Sequence, residues 1–92
     1  MHTLQQQQNF TQLFKIGEVL EMTGIPKSTL YKRISLGLFP RPIKISPRQP
    51  RWPSGDIQSI IAASCAEQTD DKIKELVARI HEARAQKRLA AA

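Results

Sequence analysis

Five of the six prolines in this chain lie between residues 40 and 53, shortly after a glycine at position 37. Proline lacks a backbone N–H and disfavours helical backbone at the residue before it, so this stretch cannot continue a helix and favours extended structure. On both sides of the stretch, apolar residues recur with helical spacing. We therefore predict a mainly α fold with a small β-hairpin between the helices.

The first helix is predicted from three apolar residues at the i, i+3, i+4 spacing of an amphipathic helix, Ile16, Val19 and Leu20. We expect this helix to end near Met22. The glutamine-rich residues 1–12 lack such a period, and we predict that they form a flexible N-terminal tail.

A second helix is predicted over about residues 26–36. Gly24 suits the left-handed conformation that closes a helix, and Pro26 suits a first helical turn, where its missing N–H is not needed. Leu30 and Ile34, one turn apart, are expected to face inward. The short connection between the two helices predicts a helix-turn-helix.

A two-stranded hairpin is predicted within the proline-rich stretch. Residues 43–45 alternate apolar and polar, and residues 51 and 52 are their expected partner. The turn between them would place Arg48 at the tip of a candidate wing. Lys44 and Arg51 are expected to project from the face opposite the isoleucines, and Trp52 is expected to anchor the hairpin in the core.

Two further helices are predicted after the hairpin. Ser54 is expected to cap the third, and Cys65 to lie on its buried stripe. Thr69 is expected to cap a fourth helix over residues 69–90, with an acidic first turn and a basic end that match the helix dipole. Its short heptad-like seam leaves open packing on the same subunit, pairing with a second chain as a homodimer, or a free helix. The seam residues are Ile73, Leu76, Ile80 and Ala83.

Positive charge is concentrated in one stretch of the chain. Between Glu21 and Asp56 there are seven basic residues and no acidic one, whereas the remaining residues hold seven basic and eight acidic side chains. A basic patch on a helix-turn-helix is the electrostatic footprint of a duplex-binding module, so we expect double-stranded DNA as the partner. The basic residues of the stretch are Lys27, Lys32, Arg33, Arg41, Lys44, Arg48 and Arg51.

The second helix and the wing supply the candidate DNA-binding side chains. A helix-turn-helix delivers its second helix to the major groove, where hydroxyl and cationic groups reach base edges or phosphates. For Arg33, a phosphate contact and a salt bridge to Glu18 or Glu21 both stay open. Thr29 also fits a local backbone bond or partial burial, and Tyr31 also fits a partly buried ring. The candidates are Lys27, Ser28, Thr29, Tyr31, Lys32 and Arg33 in the helix, and Lys44, Arg48 and Arg51 in the wing.

The sequence offers little for catalysis, metal binding or membrane insertion. His2 and His81 are far apart, with His81 expected on a solvated helix face, and no nucleophile–base pair or glycine-rich phosphate loop is present. No run approaches the ~20 apolar residues that cross a bilayer, and no secretory signal is recognisable. We expect a non-enzymatic protein without metal, cofactor or membrane association, in the bacterial cytoplasm and at the nucleoid.

About residues 13–65 resemble the AlpA family of phage-type regulators, whose domain is similar to the winged helix-turn-helix of MerR-type proteins and small excisionases. The resemblance rests on residues 18–24, 27–32, 37–45 and 51–52. It implies a sequence-specific duplex-DNA binder that regulates transcription near mobile elements, with Ser28, Thr29 and Tyr31 in the major groove and the Arg48 region as the wing. We predict one such domain over residues 13–66.

Two other functions stay open at this stage. One is an excisionase-like architectural factor that bends attachment-site DNA, with a recombinase or RNA polymerase as a further partner. The other, from a different class, is a protein-interaction adaptor that uses its C-terminal helix, with the basic stretch serving only for solvation.

Overall fold

A computed structural model describes the backbone of residues 12–91 and the side chains of residues 12–87. Over this range the chain forms four α-helices and three short strands. The architecture confirms a mainly helical fold compatible with a winged helix-turn-helix followed by an extra C-terminal helix. In chain order the elements are β1 (Leu13–Phe14), α1 (Ile16–Thr23), α2 (Lys27–Ser35), β2 (Ile43–Lys44), β3 (Pro50–Pro53), α3 (Ser54–Cys65) and α4 (Asp70–Ala91).

Helices α1 and α2 form the predicted helix-turn-helix. Gly24 closes α1 with φ 73°, and its N–H donates to the Leu20 carbonyl at 2.8 Å, so the left-handed position does fall on this glycine. Pro26 stands at the N-cap of α2 and makes no side-chain cap hydrogen bond. Val19 and Leu30 are fully buried, which confirms the inward faces of both helices.

The three strands form one antiparallel sheet in the order β1–β3–β2. The predicted pairing of β2 with β3 is confirmed, with Ile43 across from Arg51. The first strand adds Phe14 across from Trp52. This strand is not among the predicted elements, because two residues are too few to show the alternation that identifies a strand.

The predicted N-cap at Ser54 is wrong. Pro53 occupies the N-cap of α3, and Ser54 is the first helical residue, with 8% of its surface exposed. Its hydroxyl accepts a hydrogen bond from the Gln12 N–H at 3.1 Å, and its own N–H donates to the Gln12 carbonyl at 2.7 Å. Ser54 therefore holds the start of β1 against the sheet. The remainder of the predicted N-terminal tail lies outside the described residues.

Trp52 anchors the hairpin in the core, as predicted. The side chain is fully buried, and its indole N–H donates to the Pro40 carbonyl at 2.9 Å. The same residue thus supplies both apolar contact and a partner for a buried backbone carbonyl, which would be costly to leave unpaired. This bond joins β3 to the segment that leaves α2.

Helix α3 is rotated relative to the predicted stripe. Ile57 and Ile60 are buried as expected, but the next buried residue along the helix is Ala63. Cys65 is exposed, so its predicted place in the core is wrong. A small rotation suffices for this change because neighbouring helical residues lie about 100° apart around the axis.

Helix α4 packs on its own subunit, which is one of the three arrangements that the sequence left open. Ile73, Val77 and Ile80 are all buried in the core that the other elements form. Thr69 caps the helix as predicted, since its hydroxyl accepts a hydrogen bond from the Lys72 N–H at 3.3 Å. A homodimer through the predicted seam stays a prediction, and it would require α4 to leave this core.

Candidate nucleic-acid interface

The outward face of α2 is polar, exposed and cationic. On the opposite side Leu30 is fully buried and Ile34 packs against the core, so the orientation of the helix is fixed. Within the part of the chain that the structure describes, no hydrogen bond or ion pair engages the side chains of the outward face. These groups are available for a ligand. The face consists of Lys27, Ser28, Thr29, Tyr31 and Lys32.

The structure bears on the structural alternatives left open for three residues of α2. Arg33 is half-buried and joins neither of the two ion pairs found among residues 12–87, so no salt bridge to a glutamate of α1 forms. Glu18 instead accepts a hydrogen bond from the Lys15 N–H at 2.8 Å, at the start of α1. The ring of Tyr31 is 42% exposed, and the Thr29 hydroxyl makes no backbone bond in this range.

The candidate wing is the β2–β3 hairpin. The Gln49 N–H donates to the Ser46 carbonyl at 3.0 Å, and the Ile45 N–H donates to the Gln49 carbonyl at 3.2 Å, so the turn is closed by two backbone bonds. Arg48 is exposed in this turn, as predicted. Ile45 was expected to face inward, but 54% of its surface is exposed. The tip of the wing therefore presents a cation and an apolar side chain together.

The register of the hairpin places its other two cationic residues, Lys44 and Arg51, on opposite faces. Ile43 lies across from Arg51, and Lys44 lies across from Pro50. Directly opposed residues of an antiparallel pair point to the same face and neighbours alternate, so Lys44 and Arg51 point to opposite faces. The prediction that both project from one face is wrong. Arg51 is also half-buried and donates to the Pro50 carbonyl at 2.8 Å.

Four residues that the sequence analysis did not connect form a clamp between α3, α4 and the segment after α2. Arg84 donates through Nε and Nη2 to Oδ2 of Asp56, at 3.1 and 2.8 Å, and through Nη1 to the Arg41 carbonyl at 2.7 Å. The Arg41 N–H donates to Nε2 of His81 at 3.1 Å. The clamp, formed by Arg41, Asp56, His81 and Arg84, fixes α4 beside the helix-turn-helix.

His81 belongs to this clamp, so its predicted position on a solvated face is wrong. Burial is the largest cause that lowers the pKa of His81 below its ordinary value of 6.5, and the positive charges of Arg41 and Arg84 lower it further, against the opposing effect of Asp56. The hydrogen bond from the Arg41 N–H also requires an unprotonated Nε2. No local sequence signal reveals this role, because Arg41 is 40 residues away.

Other kinds of site find no support in the described residues. No group of three or more His, Cys, Asp or Glu side chains there is arranged to hold a metal ion. No helix of residues 12–91 is long and apolar enough to cross a membrane. Cys65 and Met22 do line an open, mainly apolar pocket of about 400 Å³, which also includes Phe39 and Ile61.

Comparison with known proteins finds a family model that matches more than half of the chain. The model of the family described as prophage CP4-57 regulatory protein (AlpA) matches residues 12–65 of the chain. The matched range contains the sheet, the helix-turn-helix and α3, and it leaves out α4. No curated protein and no solved structure matches the chain.

Proposed function

Because the chain belongs to the AlpA family of prophage regulatory proteins, we propose that it is a sequence-specific, double-stranded DNA-binding regulator with α2 in the major groove. The observation that carries the proposal is the outward face of α2, whose five polar or cationic side chains are all exposed. Within the described residues, none of these five side chains makes a hydrogen bond or an ion pair. A helix of this kind fits the width of the major groove.

The N-terminal half of α2 reads the base edges in this proposal. In a helix-turn-helix the second helix points its first residues at the bases. The hydroxyls of Ser28 and Thr29 donate or accept hydrogen bonds, and the ammonium group of Lys27 reaches guanine O6 and N7 or a phosphate. Tyr31 bonds a phosphate or packs on a thymine methyl group, while Lys32 contacts the backbone.

The wing binds the DNA backbone or the adjacent minor groove. Arg48 at the exposed turn and Lys44 on β2 supply its contacts, and Arg33 adds a phosphate contact beside α2. Arg51 points to the other face of the sheet, so its role is to raise the local positive potential rather than to bind directly.

The proposal is tested by selecting duplexes from a random library and then measuring affinity for the selected site at several salt concentrations. If five or six of the seven basic groups neutralise phosphates, log K falls with log salt at a slope of roughly −4.5 to −5.5 per bound subunit. A repeated half-site would show that two subunits bind together. A flat salt dependence with no enriched sequence would favour the protein-interaction adaptor instead.

An architectural role is the second candidate, and the exposed Ile45 at the wing tip favours it. Proteins that bend DNA insert apolar side chains between base steps, which kinks the duplex. Circularly permuted fragments carrying the selected site would show a strong bend for the wild type and a weaker one for Ile45→Thr. Equal mobility of all permuted complexes would argue for a regulator that does not bend its site.

A further inference from the structure

A groove beside the C-terminal end of α2 carries positive charge that comes partly from α4. It encloses about 490 Å³ and lies between α2, the segment that follows it, and α4. Arg41 and Lys74 are its basic lining residues apart from His81, and none of the lining residues is acidic. The residues that matter for its chemistry are Ser35, Gly37, Arg41, Lys74 and His81.

Lys74 reaches this groove without a partner of its own. The two ion pairs among the described residues join Lys72 to Glu75 and Arg84 to Asp56, so neither engages the ammonium group of Lys74. Its stem passes over the end of α2, because a Cβ placed on Gly37 would lie 3.9 Å from the Lys74 Cγ. Lys74 therefore brings to the edge of the helix-turn-helix an ammonium group that forms no ion pair among the described residues.

The clamp positions the second cation of the groove. The backbone of Arg41 is fixed by its N–H bond to His81 and by the Arg84 bond to its carbonyl. Because Nε2 of the neutral ring accepts that N–H, the ring proton is on Nδ1, which lies 3.2 Å from Nη1 of Arg41. Among the described residues, Nε and Nη2 of Arg41 make no hydrogen bond, so the guanidinium group keeps donors for an anion.

The groove opens on the face of α2 that we assign to DNA. Ser35, which lines it, follows Ser28 and Lys32 at the i, i+4, i+7 positions of one helix face. When that face lies in the major groove, the DNA backbone that borders the major groove passes the end of α2. In this arrangement a backbone phosphate at the border lies next to Arg41 and Lys74.

We propose that Arg41 and Lys74 bind one phosphodiester of the DNA backbone at the border of the major groove, which makes α4 part of the DNA interface. This inference rests on the proposed function, since it requires α2 to lie in the major groove. Helix α4 lies outside the residues 12–65 that the family model matches, so the contact extends the shared domain.

The test compares Lys74→Gln with Lys72→Gln. Both substitutions remove one positive charge from the first turns of α4, but Lys72 does not line the groove and its partner Glu75 is exposed. For Lys74→Gln the slope of log K against log salt becomes shallower by a part of the ~0.9 that one whole phosphate contact contributes, because Arg41 still binds the same phosphate. Lys72→Gln keeps the wild-type slope. Thermal unfolding followed by circular dichroism checks that both variants fold.

A scan of single methylphosphonate substitutions, each of which removes the charge of one phosphate, locates the contact. We expect one phosphate at which the wild type and Lys72→Gln lose several-fold affinity and Lys74→Gln loses clearly less, because in that variant only Arg41 binds this phosphate. If the wild type binds duplex with a steep salt slope and both variants behave alike in both assays, the inference is overturned while the proposed function stands. If the wild type shows no salt-dependent duplex binding, the proposed function fails first.

Discussion

His81 is the residue whose protonation the fold controls most clearly. It accepts a hydrogen bond from the Arg41 N–H, is partly buried, and lies between the positive charges of Arg41 and Arg84. All three conditions disfavour the protonated ring, and only Asp56 opposes them. The clamp between α4 and the helix-turn-helix therefore depends on a neutral His81.

The stability of the folded state is expected to fall as the pH drops below about 6.5 through the effect of His81. Its folded pKa lies below the unfolded value of 6.5, so between the two values the unfolded chain binds a proton that the folded chain rejects. The contribution is complete above pH 6.5 and is lost as the pH falls towards the folded pKa. Urea unfolding from pH 8 to pH 5 should give a smaller loss of stability for His81→Gln than for the wild type. Parallel curves would contradict this role.

The sequence revealed the role of Trp52 but not those of Ser54, Cys65 and His81. A lone tryptophan next to a strand end is large enough that burial is the expected outcome. Ser54 satisfied the local rule for a cap, yet its partner Gln12 is 42 residues away. Local patterns contain no information on such partners, because these depend on how distant elements pack.

At the level of elements, the helices were predicted more accurately than the sheet. The observed α2 (Lys27–Ser35) and α4 (Asp70–Ala91) agree closely with the predicted ranges 26–36 and 69–90. Helical periodicity extends over many residues, whereas two-residue strands show almost none. The shortness of the strands also explains why the faces of Lys44 and Arg51 were predicted wrongly. A shift of one residue in strand pairing exchanges the two faces of a strand, and the sequence did not determine which residues pair.

The turn between α1 and α2 should tolerate a side chain poorly at Gly24. No atom lies within 4 Å of a Cβ built there, so the cost of Gly24→Ala comes from its φ of 73° alone, and we expect a loss of about 1 kcal/mol. Gly17→Ala is the matched control, because its Cβ is equally free of contacts but lies in a helical backbone. It should raise stability by about 0.5 kcal/mol. Thermal unfolding of both variants checks that Gly24→Ala lowers the stability and that Gly17→Ala raises it.

Substitutions in α2 and in the wing should affect DNA binding differently. Ser28→Ala is expected to narrow the affinity gap between the selected site and random duplex by about 0.5 to 1.5 kcal/mol, because it removes one hydrogen bond to a base. Lys27→Ala should act in the same direction. Arg48→Ala is expected to weaken all duplexes nearly equally and to make the salt slope shallower by about 0.9, because it removes a phosphate contact.

Competition titrations with specific and random duplex measure both effects. Neither Ser28 nor Arg48 is buried, so the variants should keep wild-type stability. The same loss of specificity from the helix and wing substitutions would contradict the division of roles between α2 and the hairpin.

At the level of the whole molecule, α4 completes the core of the domain that precedes it. Ile73, Val77 and Ile80 lie in the common core, α4 contacts α3, and the clamp attaches the same helix through Arg84 and Asp56. The acidic side chains of the chain all lie outside residues 22–55, and the two ion pairs among residues 12–87 use none of the seven basic residues of that stretch. The extra helix thus stabilises the fold without neutralising the basic stretch.

Unfolding measurements on variants of α4 distinguish packing within the subunit from pairing between two subunits. Ile73→Val should lower the free energy of unfolding by about 1 kcal/mol, and the unfolding midpoint should not depend on protein concentration. Ala83→Gln, at an exposed position of the predicted seam, should change stability by less than about 0.5 kcal/mol. Fluorescence of the buried Trp52 reports the transition. A midpoint that rises with protein concentration would show that α4 pairs with a second chain.

The central claim is that the exposed face of α2 and the cations of the wing together bind one face of a DNA duplex. The most direct measurement is a titration of ¹⁵N-labelled protein with the selected duplex, followed through the backbone amide shifts. We expect the largest changes at residues 27–32 and 44–48, with the buried residues of α3 little affected. Changes confined to α3 and the C-terminal half of α4, or spread evenly over the molecule, would contradict the account.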